Sequence, residues 1–433
     1  MLYEEARVYL DDASKYGSVL GLDSIKSLLG ELGNPQNDLK FIHIAGTNGK
    51  GSILACLSSI LSEAGYRVGR YSSPTVMGYL ERFQIDGKWM AEDELAFFVE
   101  KIKEAVDRMK EKNLPSPTVF EIETAIAFCY FKKEKCDYVV LETGMGGELD
   151  ATNIVSGTKV CVFSSISMDH VGVLGNSPKE IAKTKAGIIK PGTRVVTAHQ
   201  VDAVWEVLRG RAKELGCPIC RTMPERAVVV EEGLGGQRFS YGEYQELTLH
   251  LAGRYQIENA VVVLETVQAM RELGAEIPEK AVRVGLRSVS WPGRFQMVCE
   301  KPQIIIDGAH NEDAMLRLRE NIKAYLPGRK ITAVLGIFKD KDYPRMLDII
   351  APYLARAYAV NLPNRERTLK KEVLVRELER RKVSAKSAEN MRLAIEAAAD
   401  ELREENEVIL VFGSLSYLGE AYRTAVSIKD REK

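Results

Sequence analysis

No stretch of the 433 residues approaches the roughly 18 consecutive apolar residues of a membrane-spanning helix, which excludes such a span. Neither charge sign is in excess: 60 Lys and Arg stand against 61 Asp and Glu, a formal net charge of −1. The basic surplus usual in nucleic-acid binders is therefore missing, although a local basic patch stays compatible with it. Glycine (34) and proline (15) are too few for a disordered or fibrous chain. The start, Met1-Leu2-Tyr3-Glu4-Glu5-Ala6-Arg7, is acidic and amphipathic, unlike a secretory signal. Cysteine is present but not patterned for disulfides. There are seven, an odd number, and several sit in apolar runs such as Val160-Cys161-Val162-Phe163. Reduced, buried thiols in a cytoplasmic protein are expected. Cys217-Pro218-Ile219-Cys220 lacks the second pair, or the two histidines, of a zinc site, and reads as core or loop packing.

Hydrophobic residues make up 45% and charged residues 28%, ordinary values for a globular protein. The length suits two or three domains, each with its own core. Leu39–Ile44 is a short apolar run entering a Gly-rich turn, as in a buried parallel strand. Ser52–Ala64 carries apolar residues at helical spacing and stops before Gly65. Further strands are expected at Arg67–Tyr71, Tyr138–Leu141 and Val160–Phe163, with helices at Glu92–Lys112 and Val119–Lys132. This alternation predicts an α/β fold with a mostly parallel sheet covered on both faces.

Between 225 and 250 three short strands with glycine turns predict a small antiparallel sheet flanking the first domain. Helices follow at about 255–273 and 278–287. Trp291-Pro292-Gly293-Arg294 is the expected linker, since Pro and Gly interrupt both helix and strand. Beyond it strands at Ile304–Ile306, Ile331–Leu335, Ala357–Val360 and Val408–Phe412 alternate with helices, including Asn390–Arg403. The expected organisation is a P-loop nucleotide-binding domain over 1–293, with the antiparallel sheet counted inside it. A smaller Rossmann-like α/β domain over 297–433 follows.

The strongest local signal is Gly46-Thr47-Asn48-Gly49-Lys50-Gly51-Ser52 between strand and helix. Glycines let backbone N–H groups approach an anion, and a helix N-terminus carries partial positive charge. Lys50 can reach the β- and γ-phosphates of a nucleotide, and Ser52 could contact phosphate or metal. The match to the common P-loop is imperfect, because Ile44 replaces the first glycine and Gly51 separates Lys50 from Ser52.

A nucleotide-using enzyme needs polyphosphate charge neutralised, usually by Mg²⁺ with few protein ligands. Ser73 before Pro74, Glu142 before a Gly-rich turn, and Asp169-His170 all follow strands that should end near the loop. On spacing alone Ser73 is equally a turn residue and His170 an ordinary loop histidine, and nitrogen is softer than Mg²⁺ prefers. No Ser-His-Asp or Cys-His arrangement is apparent, and neither is an internal repeat.

In order along the chain stand the phosphate loop, Leu141-Glu142-Thr143-Gly144-Met145-Gly146-Gly147, Asp150-Ala151-Thr152-Asn153 and Asp169-His170-Val171-Gly172-Val173-Leu174-Gly175. Lys185-Ala186-Gly187-Ile188-Ile189-Lys190, Gly253-Arg254-Tyr255-Gln256-Ile257-Glu258-Asn259-Ala260, Trp291–Arg294 and Asp307-Gly308-Ala309-His310-Asn311 follow. From about residue 15 to 420 this set resembles the folylpolyglutamate synthase/dihydrofolate synthase family of the Mur ligase superfamily.

The resemblance implies that ATP phosphorylates a folate carboxylate and that the amine of L-glutamate displaces the phosphate. It implies ATP and Mg²⁺ as cofactors, and small-molecule partners without nucleic acid or membrane. With nothing suggesting an obligate interface, a monomer is expected. Lys50 and the loop residues Gly46, Thr47, Asn48, Gly49, Gly51 and Ser52 would hold the phosphates. Ser73, Glu142 and His170 match the family's Mg²⁺ ligands. Lys185 matches a lysine carbamylated in this family, although Lys183 and Lys190 nearby make an ordinary solvated lysine the plain alternative. Asn259, Arg294, Asp307 and His310 would meet the nucleotide, the last two reaching across a cleft to ATP or the intermediate. Glu121, Asp150 and Asn153 fall on the substrate side.

The chain departs from the family where Ser-Pro is followed by Thr75-Val76 instead of His-Leu, and where Tyr255 replaces the His before Gln256. The first change touches the pteridine side and leaves the preferred folate form open. A ligase of the same superfamily adding an amino acid to a UDP-muramoyl substrate is the alternative reading. A P-loop switch protein is a third, but no γ-phosphate-sensing segment is evident.

Overall fold

The computed structural model describes residues 1–14, 21–169, 172–404 and 406–431. The chain forms two compact units. The first comprises Met1–Pro74, Tyr79–Ala227 and Glu258–Val289. Its eight strands are β1 (Phe41–Ala45), β2 (Val68–Tyr71), β3 (Phe83–Ile85), β4 (Lys88–Trp89), β5 (Tyr138–Glu142), β6 (Thr158–Phe163), β7 (Arg194–Thr197) and β8 (Ile219–Arg221). They form one sheet in the order β4-β3-β2-β5-β1-β6-β7-β8. Pairing is parallel from β2 to β8, while β3 and β4 add an antiparallel edge.

The apolar runs explain why these strands are central. β1 is buried along its whole length because helices or loops cover both faces of a parallel sheet. One core gathers Phe41, Tyr71, Phe128, Phe131 and Val139, and another Cys161, Phe163, Val195 and Leu208. Each such side chain removed from water contributes roughly 1.5–3 kcal/mol. Register places Ile44 opposite Glu142 and Tyr71 opposite Leu141, and pairs Ala45 with Phe163 on the other side of β1. The residues just beyond β1, β2, β5 and β6 therefore share the carboxyl edge of the sheet, where ligands bind in open α/β sheets.

The second unit comprises Thr75–Gly78, Val228–Ile257 and Ser290–Lys433. A three-stranded antiparallel sheet is made by β9 (Val228–Gly233), β10 (Gly236–Tyr241) and β11 (Tyr244–Leu249). A six-stranded sheet contains β12 (Gln296–Glu300), β13 (Gln303–Ile306), β14 (Lys330–Leu335), β15 (Leu354–Ala359), β16 (Ser384–Ser387) and β17 (Glu407–Phe412). Its order is β12-β13-β17-β14-β15-β16, antiparallel only between β12 and β13.

Chain order placed the antiparallel sheet with residues 1–293, but spatially it groups with the second unit, as do Thr75–Gly78. Tyr325 illustrates the reason: its hydroxyl donates to Glu232 Oε2 on β9 at 3.4 Å, tying the antiparallel sheet to the helix Glu312–Tyr325. The expected strands and helices are otherwise present within a few residues, the loop helix starting at Lys50 instead of Ser52. β3, β4, β7, β8, β12 and β16 were not anticipated. They are two to five residues long, too short for a period-2 pattern to stand out. All seven cysteines are free thiols. Among the described residues no helix is long and apolar enough to cross a membrane.

Candidate functional site

In the first unit the loop leaving β1 is clamped to the segment after β6. The Thr47 N–H donates to the Ser165 carbonyl at 2.7 Å. The Thr47 hydroxyl donates to the Ser167 carbonyl and accepts from the Ser167 N–H, both at 3.1 Å. Gly46 has φ +149°, and a Cβ there would sit 1.8 Å from the Ser164 hydroxyl. Gly49, at φ +93°, begins the helix Lys50–Glu63, and a Cβ there would come within 2.5 Å of Asn259 Oδ1. Both glycines are thus required by space as well as by backbone conformation. Asn259 packs directly on the loop. Ser52 and Gly51 are buried, so Ser52 is packed in the helix rather than presented to solvent.

Lys50 donates to the Thr47 carbonyl at 3.3 Å and lies 3.7 Å from Glu142 Oε1. Lys185, on the helix Pro178–Ala186, is only 4% exposed and donates to the Gly46 carbonyl at 2.7 Å. Burial, reinforced by the charge of Lys50 and opposed by Asp169 and Asp150, pushes its amine down to about 7. An ordinary solvated lysine is not what the fold makes of this position. A small cavity opens among Gly46, Thr47, Lys50, Gly144, Asp169 and Lys185.

Ser73 stands two residues past β2 and Glu142 at the end of β5, on neighbouring strands. His170 lies outside the described residues. Among the described residues no three His, Cys, Asp or Glu side chains gather as a metal cluster. The candidates at this edge are instead a serine hydroxyl, one carboxylate and the Lys185 amine. With the amine carbamylated the donors are all oxygen, which suits Mg²⁺.

The residues expected on the substrate side are engaged in local structure. Glu121 completes a capping box, its carboxylate accepting from the Thr118 N–H and hydroxyl at 2.7 and 2.8 Å. Its other oxygen accepts from the Ile25 N–H at 3.0 Å, fastening two helices. Asn153 donates to the carbonyls of Glu148 and Gly187 at 3.0 and 3.2 Å. Asp150, 3% exposed, caps the turn Ala151–Ile154 and accepts from the Met145 N–H at 2.7 Å. Its burial raises the carboxyl above its ordinary range, which those hydrogen bonds oppose. A capping box is visible in Thr118-x-x-Glu121, and that signal could have identified the structural use of Glu121.

Reading the sequence missed a buried cluster near this side of the sheet. Arg82 pairs with Glu123, Tyr79 donates to Glu123 at 2.8 Å, and Arg7 and Arg82 both lie over the Tyr79 ring, at 3.4 and 4.1 Å. Its members are spread over more than a hundred residues, so no local motif announces it.

In the second unit Asp307 follows β13 and accepts from the N–H groups of Phe295 and Ala309, each at 2.8 Å. Burial pushes this carboxyl up to about 6, against the opposing charge of Arg294. Arg294 donates to the Gly293 carbonyl at 3.0 Å and lies against Gly308, where a Cβ would meet its guanidinium at 2.3 Å. His310 Nδ1 donates to the Gly308 carbonyl at 2.7 Å. Tyr255 is half-buried, with its hydroxyl raised by desolvation and by Asp307. Arg294, Asp307 and His310 are therefore brought together by one turn.

Residues 44–267 match the family model of the Mur ligase middle domain, and residues 293–415 that of the Mur ligase glutamate ligase domain. The dihydrofolate synthase/folylpolyglutamate synthase of Bacillus subtilis is 33% identical over 96% of this chain and 98% of its own. The folylpolyglutamate synthase of Lacticaseibacillus casei is 33% identical over 85% and 87%. The crystal structure of Thermotoga maritima folylpolyglutamate synthase superposes with a TM-score of 0.85 at 30% identity, covering 99% of this chain and 97% of that one. Escherichia coli FolC in complex with DHPP and ADP superposes at 0.86 with 31% identity, covering 99% and 98%. With the loop geometry and both domain matches in place, this chain belongs to the folylpolyglutamate synthase/dihydrofolate synthase family of Mur ligases and is an ATP-dependent ligase.

Proposed function

We propose that the protein joins L-glutamate to a folate carboxylate through an acyl phosphate, elongating a tetrahydrofolate glutamate chain, converting dihydropteroate to dihydrofolate, or both. A carboxylate is a poor electrophile and its phosphate anhydride a good one. The carboxylate oxygen takes the γ-phosphoryl group and ADP leaves. The glutamate amine then attacks the acyl carbon, phosphate departs, and the nitrogen loses a proton. No covalent nucleophile from the protein is needed, and catalysis rests on positioning and charge neutralisation.

The observation that carries this reading is the convergence of Lys50 and Lys185 on the loop Gly46–Gly49. Lys50 and the loop N–H groups hold the β- and γ-phosphates. Ser73, Glu142 and a carbamylated Lys185 fit as Mg²⁺ ligands, with His170 a further candidate from sequence. The ion, when bound, neutralises polyphosphate charge. Lys185 at about 7 has the neutral amine that carbamylation by CO₂ requires. Asn259 in the first unit and Arg294, Asp307 and His310 in the second are proposed nucleotide contacts. Asp150 and Asn153 shape the substrate side through the backbone they hold. A monomer in a reducing cytoplasm suits the seven free thiols.

The test is an ATP- and glutamate-dependent assay comparing dihydropteroate, dihydrofolate and reduced folates as acceptors. Release of ADP and phosphate with amide formation on one of them is expected. Turnover of UDP-muramoyl substrates and of no folate would overturn the assignment.

A further inference from the structure

β1 reads Phe41-Ile42-His43-Ile44-Ala45, and every residue in it is buried. His43 is the one polar side chain in this central strand and is 0% exposed. A buried imidazole forfeits hydration that a leucine would never have had. Its Nε2 lies 2.9 Å from the Thr152 hydroxyl, 109 residues away. That hydroxyl donates its single proton to Asp150 Oδ1 at 2.5 Å, which also accepts from the Thr152 N–H at 3.0 Å. The imidazole must therefore be the donor, so Nε2 carries the hydrogen and Nδ1 is bare. Asp150 Oδ2 accepts from the Met145 N–H at 2.7 Å. Met145 lies in the Gly-rich turn after Glu142 and lines the same cavity as Lys50 and Lys185.

We propose that His43 is a positioning residue of this ligase: through Thr152 it orients the Asp150 carboxylate, and through Asp150 the turn Thr143–Gly147 that borders the phosphate loop. The link is a continuous chain of hydrogen bonds from the centre of the sheet to the cavity wall. Nδ1 makes no hydrogen bond among the described residues, so Nε2 is the atom that uses the imidazole. Burial, with the charge of Lys190 adding to it, pushes the ring down to about 3, which keeps it neutral and its tautomer constant. The inference rests on the ligase reading above.

Gln places an amide nitrogen near Nε2, Asn places one near Nδ1, and Leu places none. His43→Gln should keep near wild-type kcat/KM for the folate acceptor. His43→Asn, His43→Leu and the near-isosteric Thr152→Val should each lose roughly tenfold, the worth of one buried hydrogen bond, with KM for ATP unchanged. His43→Leu combined with Thr152→Val should lose no more than either alone. Hydrogen exchange over residues 143–154 should quicken with His43→Leu and with Thr152→Val, and stay slow with His43→Gln. Wild-type exchange and wild-type kcat/KM in both His43→Leu and Thr152→Val would overturn the proposal. So would a lower Tm with unchanged activity per folded molecule, which would make the role structural alone. An inactive wild-type protein would refute the ligase reading, while the exchange measurement would still judge the hydrogen-bond chain.

Discussion

Lys185 donates from its side-chain nitrogen to the carbonyl of Gly46, the first glycine of the loop after β1, at 2.7 Å across 139 residues of sequence. It is 4% exposed, and its amine sits at about 7 because burial and Lys50 both oppose its charge. Near neutrality it is therefore a mixture of ammonium and free amine, and the free amine is what reacts with CO₂. Lys185→Ala should lose nearly all ligase activity, with partial rescue by acetate or formate. Full activity without rescue would remove the carbamate from the mechanism.

Lys50 touches the Thr47 carbonyl and stands opposite Glu142. Lys50→Ala should lower kcat by roughly a hundredfold or more, the usual cost of one phosphate- or oxyanion-stabilising group. Tm and circular dichroism should change little. Wild-type turnover would refute the loop assignment.

Gly147 faces the helix carrying Lys185 so closely that a Cβ would lie 2.7 Å from the Lys185 carbonyl and 2.9 Å from its Cα. Both are backbone atoms and cannot step aside alone. Gly147→Ala should cost about 1–3 kcal/mol of stability, as overpacking does, and reduce activity by displacing Lys185. Equal Tm and equal turnover would show that this contact is not rigid.

His43 supplies an acid-dependent stability difference. Its folded value of about 3 lies below the ordinary 6.5, so the unfolded chain binds the extra proton between those limits. Its contribution is present above pH 6.5 and is lost as pH falls toward 3, by at most about 1.4 kcal/mol per pH unit. Asp307 works in the opposite sense, stability falling as pH rises from its ordinary 3.8 to about 6, so the comparison must be between variants. Urea unfolding of wild type and His43→Gln from pH 4 to 7 should show a shallower pH slope in the variant. Parallel slopes would mean that His43 is not held neutral by burial.

Much of the first unit was legible because its signals are local. A strand, a glycine turn and a helix N-terminus follow one another within fifteen or so residues, and that succession specifies Lys50 and the loop. The apolar strands announced a parallel sheet. Glu121 shows the opposite case, since its bond from the N–H of Ile25, 96 residues away, has no local signal.

By itself the sequence determined the α/β class, the strand, glycine-rich turn and helix around Lys50, and the succession of motifs that marks a folate-type ligase, since periodicity and turn chemistry act between near neighbours. Tertiary structure alone decided that Lys185 is buried against Gly46, which pushes its amine down, and that the small antiparallel sheet groups with the second unit. It also decided that His43 is joined to Asp150 through Thr152. Burial and long-range hydrogen bonding exist only once strands distant in sequence lie side by side, and a side chain's charge and partners follow from that packing.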